Sequence, residues 1–461
     1  MKLSKYTLIL LCASLAMLMV KLDAYIVNIS LPTIAQNFNC SRDMVSMVLL
    51  AYLVASTSTL LLFGTLGDRL GLKKIFILGF VFFTIGSLLC GLSRGMAFLI
   101  IARFIQGLGG SMLVANCMAI VGRFMPHESV GRSYGILITI SAVGVSLGAP
   151  LGGVITFYLS WHWIFLINIP VGLIAIWGTH RYVPSEEKLP FSFHEFDFSG
   201  TFLALMAFTC LILAFNSFDN KGPTAIIPYF ILILAALFFV FFILRERHAI
   251  NPILDLSLFR IKPLVVALVA SLLVWTANFG NSYMMPFYLE HDLGFTPNWV
   301  GFFILITSGM IMIISPLSGK MSDRINPLKL SMVAMALGVF GYLFFCFSIP
   351  RFDIWLTVIF LFLGGIMIGL FASPNNKMIM EMAVEGKQGI VSATTNTFSS
   401  MAAVLGVSVF QMIYSVTTGG DSAHPTIAEN AAGFHNAYFA GVLLVLAALI
   451  LSWSYRKQKK N

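Results

Sequence analysis

From Gly64 to Lys74 the chain reads GTLGDRLGLKK, and 255 residues later, from Gly319 to Lys329, it reads GKMSDRINPLK. Both copies end a long apolar run, and both keep one spacing: Gly64, Asp68 and Arg69 in the first, Gly319, Asp323 and Arg324 in the second. Runs of about twenty apolar residues suffice to cross a hydrocarbon core of roughly 30 Å. They fall near 6–31, 44–66, 75–93, 97–120, 134–158 and 164–180, then near 198–216, 227–244, 264–287, 298–318, 329–348, 354–375, 390–416 and 436–454. The first copy follows the second run and the other follows the tenth, a displacement of eight runs where a plain duplication of a six-helix unit gives six. Two spans inserted between duplicated halves account for the difference, and internal repeats of this kind mark secondary transporters. The expected fold is an all-α polytopic membrane protein of fourteen spans. Its parts are a six-helix bundle over 1–182, two inserted spans with linkers over 183–262, and a second six-helix bundle over 263–461.

Composition excludes the main competitors. Hydrophobic residues make up 58% of the chain and charged residues 10%, against roughly 25% charged in a water-soluble domain. Segments of about ten residues alternating apolar with polar, expected of a membrane barrel, are absent from the sequence. The net charge of +9 raises nucleic acid as a partner, yet 22 of the 28 Lys and Arg fall in segments on one side when the N-terminus is placed inside. The positive-inside rule then puts both termini in the cytoplasm and makes the basic surplus a topology signal. Cys12, Cys40, Cys90, Cys117, Cys210 and Cys346 show no CxxC spacing and read as unpaired. No GxxxxGK[ST] phosphate loop occurs, which disfavours ATP-driven transport. GVSLG at Gly144–Gly148 matches a hydrolase pattern that requires a strand-to-helix turn, whereas here it is mid-helix. No enzyme, cofactor or metal site is expected.

Other motifs cluster in the first half. Span one carries LDAYIVNISLP (Leu22–Pro32), span four has Arg103, Gln106, Gly107, Gly109 and Gly110, and span five has Gly144, Gly148, Pro150, Gly152 and Gly153. The outer turn reads SWHWIFLINIPVG from Ser160 to Gly172. Glycines such as Gly64 and Gly71 permit a tight turn between spans two and three, and the cations beside them fix its inner side. Gly144, Gly148 and Gly152 form a small-residue stripe for close helix approach, and Pro150 removes a backbone donor and permits a bend. Tight packing accounts for the stripe as well as a part in a transport cycle does. Together these motifs resemble the major facilitator superfamily, and more narrowly its drug/proton antiporters with fourteen spanning helices. Departures are Tyr25 for the usual Thr, Lys21 just before the motif, His162 for an Arg, and Asn326 where the first repeat has Gly71. The resemblance implies two bundles working by alternating access, an Asp68 that latches them on the cytoplasmic face against the N-terminal end of span thirteen, and residence in the cell membrane, with a monomer expected and any periplasmic adaptor unread.

Charges within spans are the sharpest clue, since each costs roughly 2.5 to 3.5 kcal/mol at a helix centre. Of the 19 acidic residues only Asp23 lies well inside a span, and Arg103 lies inside span four. At 1.5 Å per residue their depths from the outer side are roughly 13 and 9 Å, close enough to pair. Asp23 is expected to alternate between a proton and contact with Arg103 or a cationic substrate; a static ion pair between spans one and four is the plainer alternative. The repeat offset places neutral Asn278 at the level of Asp23. Lys21 points about 200° away from Asp23, on a stripe with Ser14, Met17, Tyr25 and Asn28 that suits a cavity wall. A cation there would favour an anionic or zwitterionic amphiphile, unless the amine is deprotonated, snorkels to water or pairs with an acid. The rest of the wall is expected to be Met- and Phe-rich and adaptable, with polar points at Gln106, Asn116, Trp275, Asn278, Asn281, Tyr283, Asn375, Asn376 and Asn396. The inserted spans carry no buried charge and are expected outside the transport core. The function expected is proton-coupled efflux of amphipathic small molecules or drugs. A dedicated exporter or flippase of an anionic lipid or metabolite is the alternative, and a membrane-embedded transferase or receptor the remote one. The expected partners are a small-molecule substrate, protons and the bilayer, with no nucleic acid.

Overall fold

The computed structural model describes residues 5–126, 130–185, 198–216, 226–247, 259–322, 324–349, 353–382, 388–419 and 426–458. All regular structure among them is helical, because a chain in lipid must satisfy its backbone groups within each segment. The helices are α1 (Lys5–Phe38), α2 (Arg42–Leu70), α3 (Leu72–Gly91), α4 (Met96–Phe124), α5 (Val130–Tyr158), α6 (Trp163–Leu166), α7 (Asn168–Tyr182), α8 (Phe198–Asn216), α9 (Ile227–Glu246) and α10 (Lys262–Phe287). A π-turn (Tyr288–Asp292) follows, then α11 (Pro297–Ser322), α12 (Pro327–Ser348), α13 (Ile354–Glu381), α14 (Gln388–Thr418) and α15 (Ile427–Gln458). Among the described residues thirteen segments are long and apolar enough to cross a membrane, and Ser199–Phe215 in α8 is a shorter apolar helix, which together match the fourteen expected runs.

Several element ends differ from the sequence reading. GTLGDRLGLKK is not a loop: α2 continues through it to Leu70, and the whole turn is Gly71 at φ +99°. Only glycine adopts that backbone without a Cβ penalty. The second copy turns by another device. There Asn326 caps α12, its side chain accepting the Leu328 N–H at 2.9 Å, and Pro327 takes the first helical position. Asn for Gly is thus a change of turn chemistry. Asp323 and the side chains of Asp68, Arg69 and Asn396 lie outside the described residues. Helix α1 runs past Pro32 to Phe38, and span six is broken at Ile167 into α6 and α7. Helix α15 starts at Ile427, ahead of the expected 436, behind a reciprocal cap. The Glu429 carboxylate accepts the Thr426 N–H at 2.9 Å, and the Thr426 hydroxyl accepts the Glu429 N–H at 3.3 Å.

The helices form two compact units, Met1–Cys40 with Met44–Thr209 and Leu234–Ile253, and Ser41–Asp43 with Cys210–Ile233 and Leu254–Asn461. In the first, α1 lies along α5 and α3 along α4. In the second, α10 lies along α14 and α12 along α13, so the first-with-fifth and third-with-fourth pairings recur. The glycine stripe explains the α1–α5 approach: a Cβ at Gly148 would fall 2.7 Å from the Tyr25 Cβ, and one at Gly152 would fall 2.7 Å from the Ile26 carbonyl oxygen. The Ser30 and Thr156 hydroxyls meet at 2.6 Å further along the same seam. The second unit is centred on aromatic packing, with Phe345 stacked on Phe360 at 4.3 Å and Tyr438 edge-on to Phe345 at 4.7 Å. Helices α8 and α9 leave Phe202, Tyr229, Phe230, Ile233 and Phe241 exposed, an apolar surface suited to acyl chains.

Candidate functional site

Asp23 lies near the middle of α1 and is fully buried, as are Arg103 and Gln106 one helical turn apart on α4. Arg103 Nη1 donates to Asp23 Oδ2 at 2.6 Å and to Gln106 Oε1 at 2.6 Å, so one guanidinium nitrogen joins carboxylate and amide. Gln106 Nε2 donates to Asp23 Oδ1 at 2.8 Å and to Ser87 Oγ of α3 at 2.8 Å. Asn168, the first residue of α7, donates from Nδ2 to the same Asp23 Oδ1 at 3.1 Å. Arg103 Nε donates to the Val48 carbonyl of α2 at 3.2 Å, and its guanidinium carbon stands 4.3 Å from the Tyr52 ring centroid and 5.7 Å from that of Phe165. A Cβ at Gly86 would fall 2.7 Å from the Gln106 Cα, so glycine there is what lets the amide reach the carboxylate.

This arrangement places an ion pair where water is excluded and supplies further hydrogen bonds to the carboxylate, the condition for a buried pair to be tolerated. Arg103 Nη2 is the exception: it is buried with no hydrogen-bond partner among the described residues. The structure thus brings together Asp23, Arg103 and Gln106, and adds Ser87, Tyr52 and Asn168, which sequence reasoning did not single out. Asn168 sits within the SWHWIFLINIPVG stretch, and that position was the available signal.

The residues expected on a cavity wall divide. Lys21 and Tyr25 are half-buried. Lys21 has no hydrogen-bond or ion-pair partner among the described residues. Its Cβ faces α5, 3.1 Å from where a Cβ on Gly144 would lie. Trp275 is half-buried and Asn376 exposed. Asn28, Asn278 and Asn281 are nearly closed off, and Asn281 accepts the Tyr438 hydroxyl at 3.1 Å. Gln106, Asn116, Tyr283 and Asn375 line no open surface here. Gln106 is in the Asp23 network, Asn116 donates to the Phe63 carbonyl at 3.1 Å, Asn375 donates to the Ala267 carbonyl at 3.4 Å, and the Tyr283 hydroxyl meets Gln411 Oε1 at 2.9 Å. Each amide or hydroxyl is engaged in helix packing, which sequence pattern cannot separate from cavity lining.

A further cluster was not anticipated, because Arg42 reads as an ordinary loop cation. Residues Ser41–Asp43 group with the second unit, where the Arg42 guanidinium carbon stands 4.3 Å from the Tyr414 ring centroid, 5.1 Å from that of Phe434 and 5.2 Å from that of Phe287. Asp43 accepts from Gln411 Nε2 at 2.7 Å and from Ser415 Oγ at 2.8 Å.

A family model described as Major Facilitator Superfamily matches residues 13–407. The chain is 29% identical over 466 residues to the riboflavin transporter RibZ of Clostridioides difficile (strain 630), covering 100% of both proteins. It is also 29% identical over 403 residues to the multidrug resistance protein Stp of Mycobacterium tuberculosis (strain ATCC 25618 / H37Rv), covering 87% of this chain and 74% of that one. Among solved structures, a D-xylose-proton symporter superposes with a TM-score of 0.70 at 14% identity, over 98% of each chain, a likeness of fold.

Proposed function

Because this chain belongs to the Major Facilitator Superfamily, and so is a multi-pass membrane transporter and not an enzyme, we propose that it exports amphipathic small molecules from the cytoplasm in exchange for protons. The observation that carries the proposal is Asp23, a fully buried carboxylate held by Arg103 at 2.6 Å. Transport proceeds by alternating access across the cytoplasmic membrane, with both termini inside. In one state Arg103 holds the carboxylate ionised. In the other Arg103 is drawn to a different acceptor, and Asp23, left in a desolvated site, takes up a proton. The unpartnered Arg103 Nη2 is where such an acceptor engages. A proton entering down 100 mV releases about 2.3 kcal/mol and each pH unit about 1.4 more, enough to concentrate a solute tens- to hundreds-fold.

In everted vesicles, Asp23→Asn is expected to abolish uncoupler-sensitive accumulation while leaving exchange of solute at equal concentrations. Uncoupler-sensitive accumulation that survives in the variant would reduce the pair to a structural tie. A second reading, transport of a flat heteroaromatic solute such as riboflavin, is favoured by the end-to-end match with RibZ. Riboflavin flux in the same vesicles, with and without an excess of an amphipathic dye such as fluorescein, separates the two readings.

A further inference from the structure

Lys21 and Leu22 straddle the midpoint of α1, about 24 Å from either end at 1.5 Å per residue, the depth at which transporters of this architecture place their substrate sites. No acid pairs with the Lys21 amine among the described residues. The nearest acid in sequence, Asp23, points to the other side of the helix and is occupied by Arg103, Gln106 and Asn168, with no exposed surface. Lys21 has no ion-pair or hydrogen-bond partner among the described residues, and its Cβ faces the glycine stripe of α5. That Cβ packs in the α1–α5 seam, 3.1 Å from where a Cβ on Gly144 would lie, and a lysine that tied helices together would have an acid beside it. Tyr25, one turn on, shares the seam: it is half-buried, with its Cβ 2.7 Å from where a Cβ on Gly148 would lie. An uncompensated cation at the membrane midplane beside an aromatic hydroxyl is what an amphipathic anion requires.

We infer that Lys21 selects the charge of the substrate and that the substrate class is an amphipathic organic anion, which Tyr25 meets on the same face of α1. The inference rests on the transport reading but not on its proton coupling. A cationic amphiphile gains nothing from Asp23, which is sealed, and would be repelled by a charged Lys21. The acid that offsets Lys21 is the substrate itself.

Fluorescein and rhodamine 123 share a xanthene body and differ in charge, so they isolate this effect. Exchange of each dye is measured in proteoliposomes at equal concentrations on both sides with an uncoupler present, so that loss of proton coupling leaves the readout untouched. The wild type is expected to exchange fluorescein in preference to rhodamine 123. Lys21→Ala is expected to raise the half-saturating fluorescein concentration about tenfold, and Lys21→Arg to hold it near the wild-type value. Lys21→Glu is expected to reverse the preference, a gain of rhodamine exchange that misfolding cannot produce. Absence of fluorescein exchange in the wild type, equal loss of both dyes in Lys21→Ala, or an unreversed preference in Lys21→Glu overturns the inference.

Discussion

Asp23 accepts from Arg103, Gln106 and Asn168, and the three donors are not equivalent. Removing the guanidinium leaves a buried carboxylate without its counter-charge, so Arg103→Ala is expected to destabilise the protein by about 3 to 5 kcal/mol. Asn168→Ala removes one neutral donor and is expected to cost about 1 to 2 kcal/mol. Thermal unfolding in detergent compares them, and equal losses would mean that the ion pair is not what holds these helices. A pH effect belongs to His162, outside the spans, whose ring stacks on Trp161 at 3.7 Å. Burial lowers its pKa from the ordinary 6.5, against a smaller opposing effect of the Ser93 backbone. The unfolded chain then binds the proton more readily than the folded one, so the stability held above that pH is lost as pH falls through it. Between about pH 8 and about pH 5 the wild type is expected to lose more melting temperature than His162→Gln. Asp23 and Arg103 were legible in the sequence because an ionised group in an apolar run stands out. Ser87, Tyr52 and Asn168 were not, since an uncharged polar residue in a spanning helix carries too small a penalty to demand a partner.

Helix existence was legible at nearly every run, because length and hydropathy alone decide it, while helix ends answered to local chemistry. The cap of α15 was written in the sequence as Thr426-x-x-Glu429 but lay outside an apolar window. The Gly71 turn was masked by its neighbours, since Gly64 and Gly67 have the same composition cue yet remain helical. At Gly71 an added Cβ would meet nothing within 4 Å, so the expected cost of Gly71→Ala is backbone strain alone, about 1 to 3 kcal/mol. A change of less than half that in unfolding free energy would show that the α2–α3 turn relaxes to another backbone.

Across the molecule, eleven-residue stretches at Gly64 and Gly319 located a repeat that the helix pairings reproduce. The grouping of Ser41–Asp43 with the second unit stayed hidden, because a charge at a helix end carries no penalty that would mark it. Helices α8 and α9 present apolar side chains outward. A chain with both excised and a short linker in their place is expected to keep its solute exchange at near wild-type rate per folded molecule, measured in proteoliposomes. Loss of exchange in a well-folded product would make α8 and α9 part of the transport core. The order of the Asp23 contacts along the chain bears on biogenesis. Arg103 follows Asp23 by 80 residues and Asn168 by 145. At roughly 5 to 20 residues per second, a ribosome delivers the guanidinium about 4 to 16 s after the carboxylate and the amide about 7 to 29 s after it. The nascent first helix therefore waits in the bilayer with an orphaned acid, and a chain stopped after its third span is a marked target for membrane proteases.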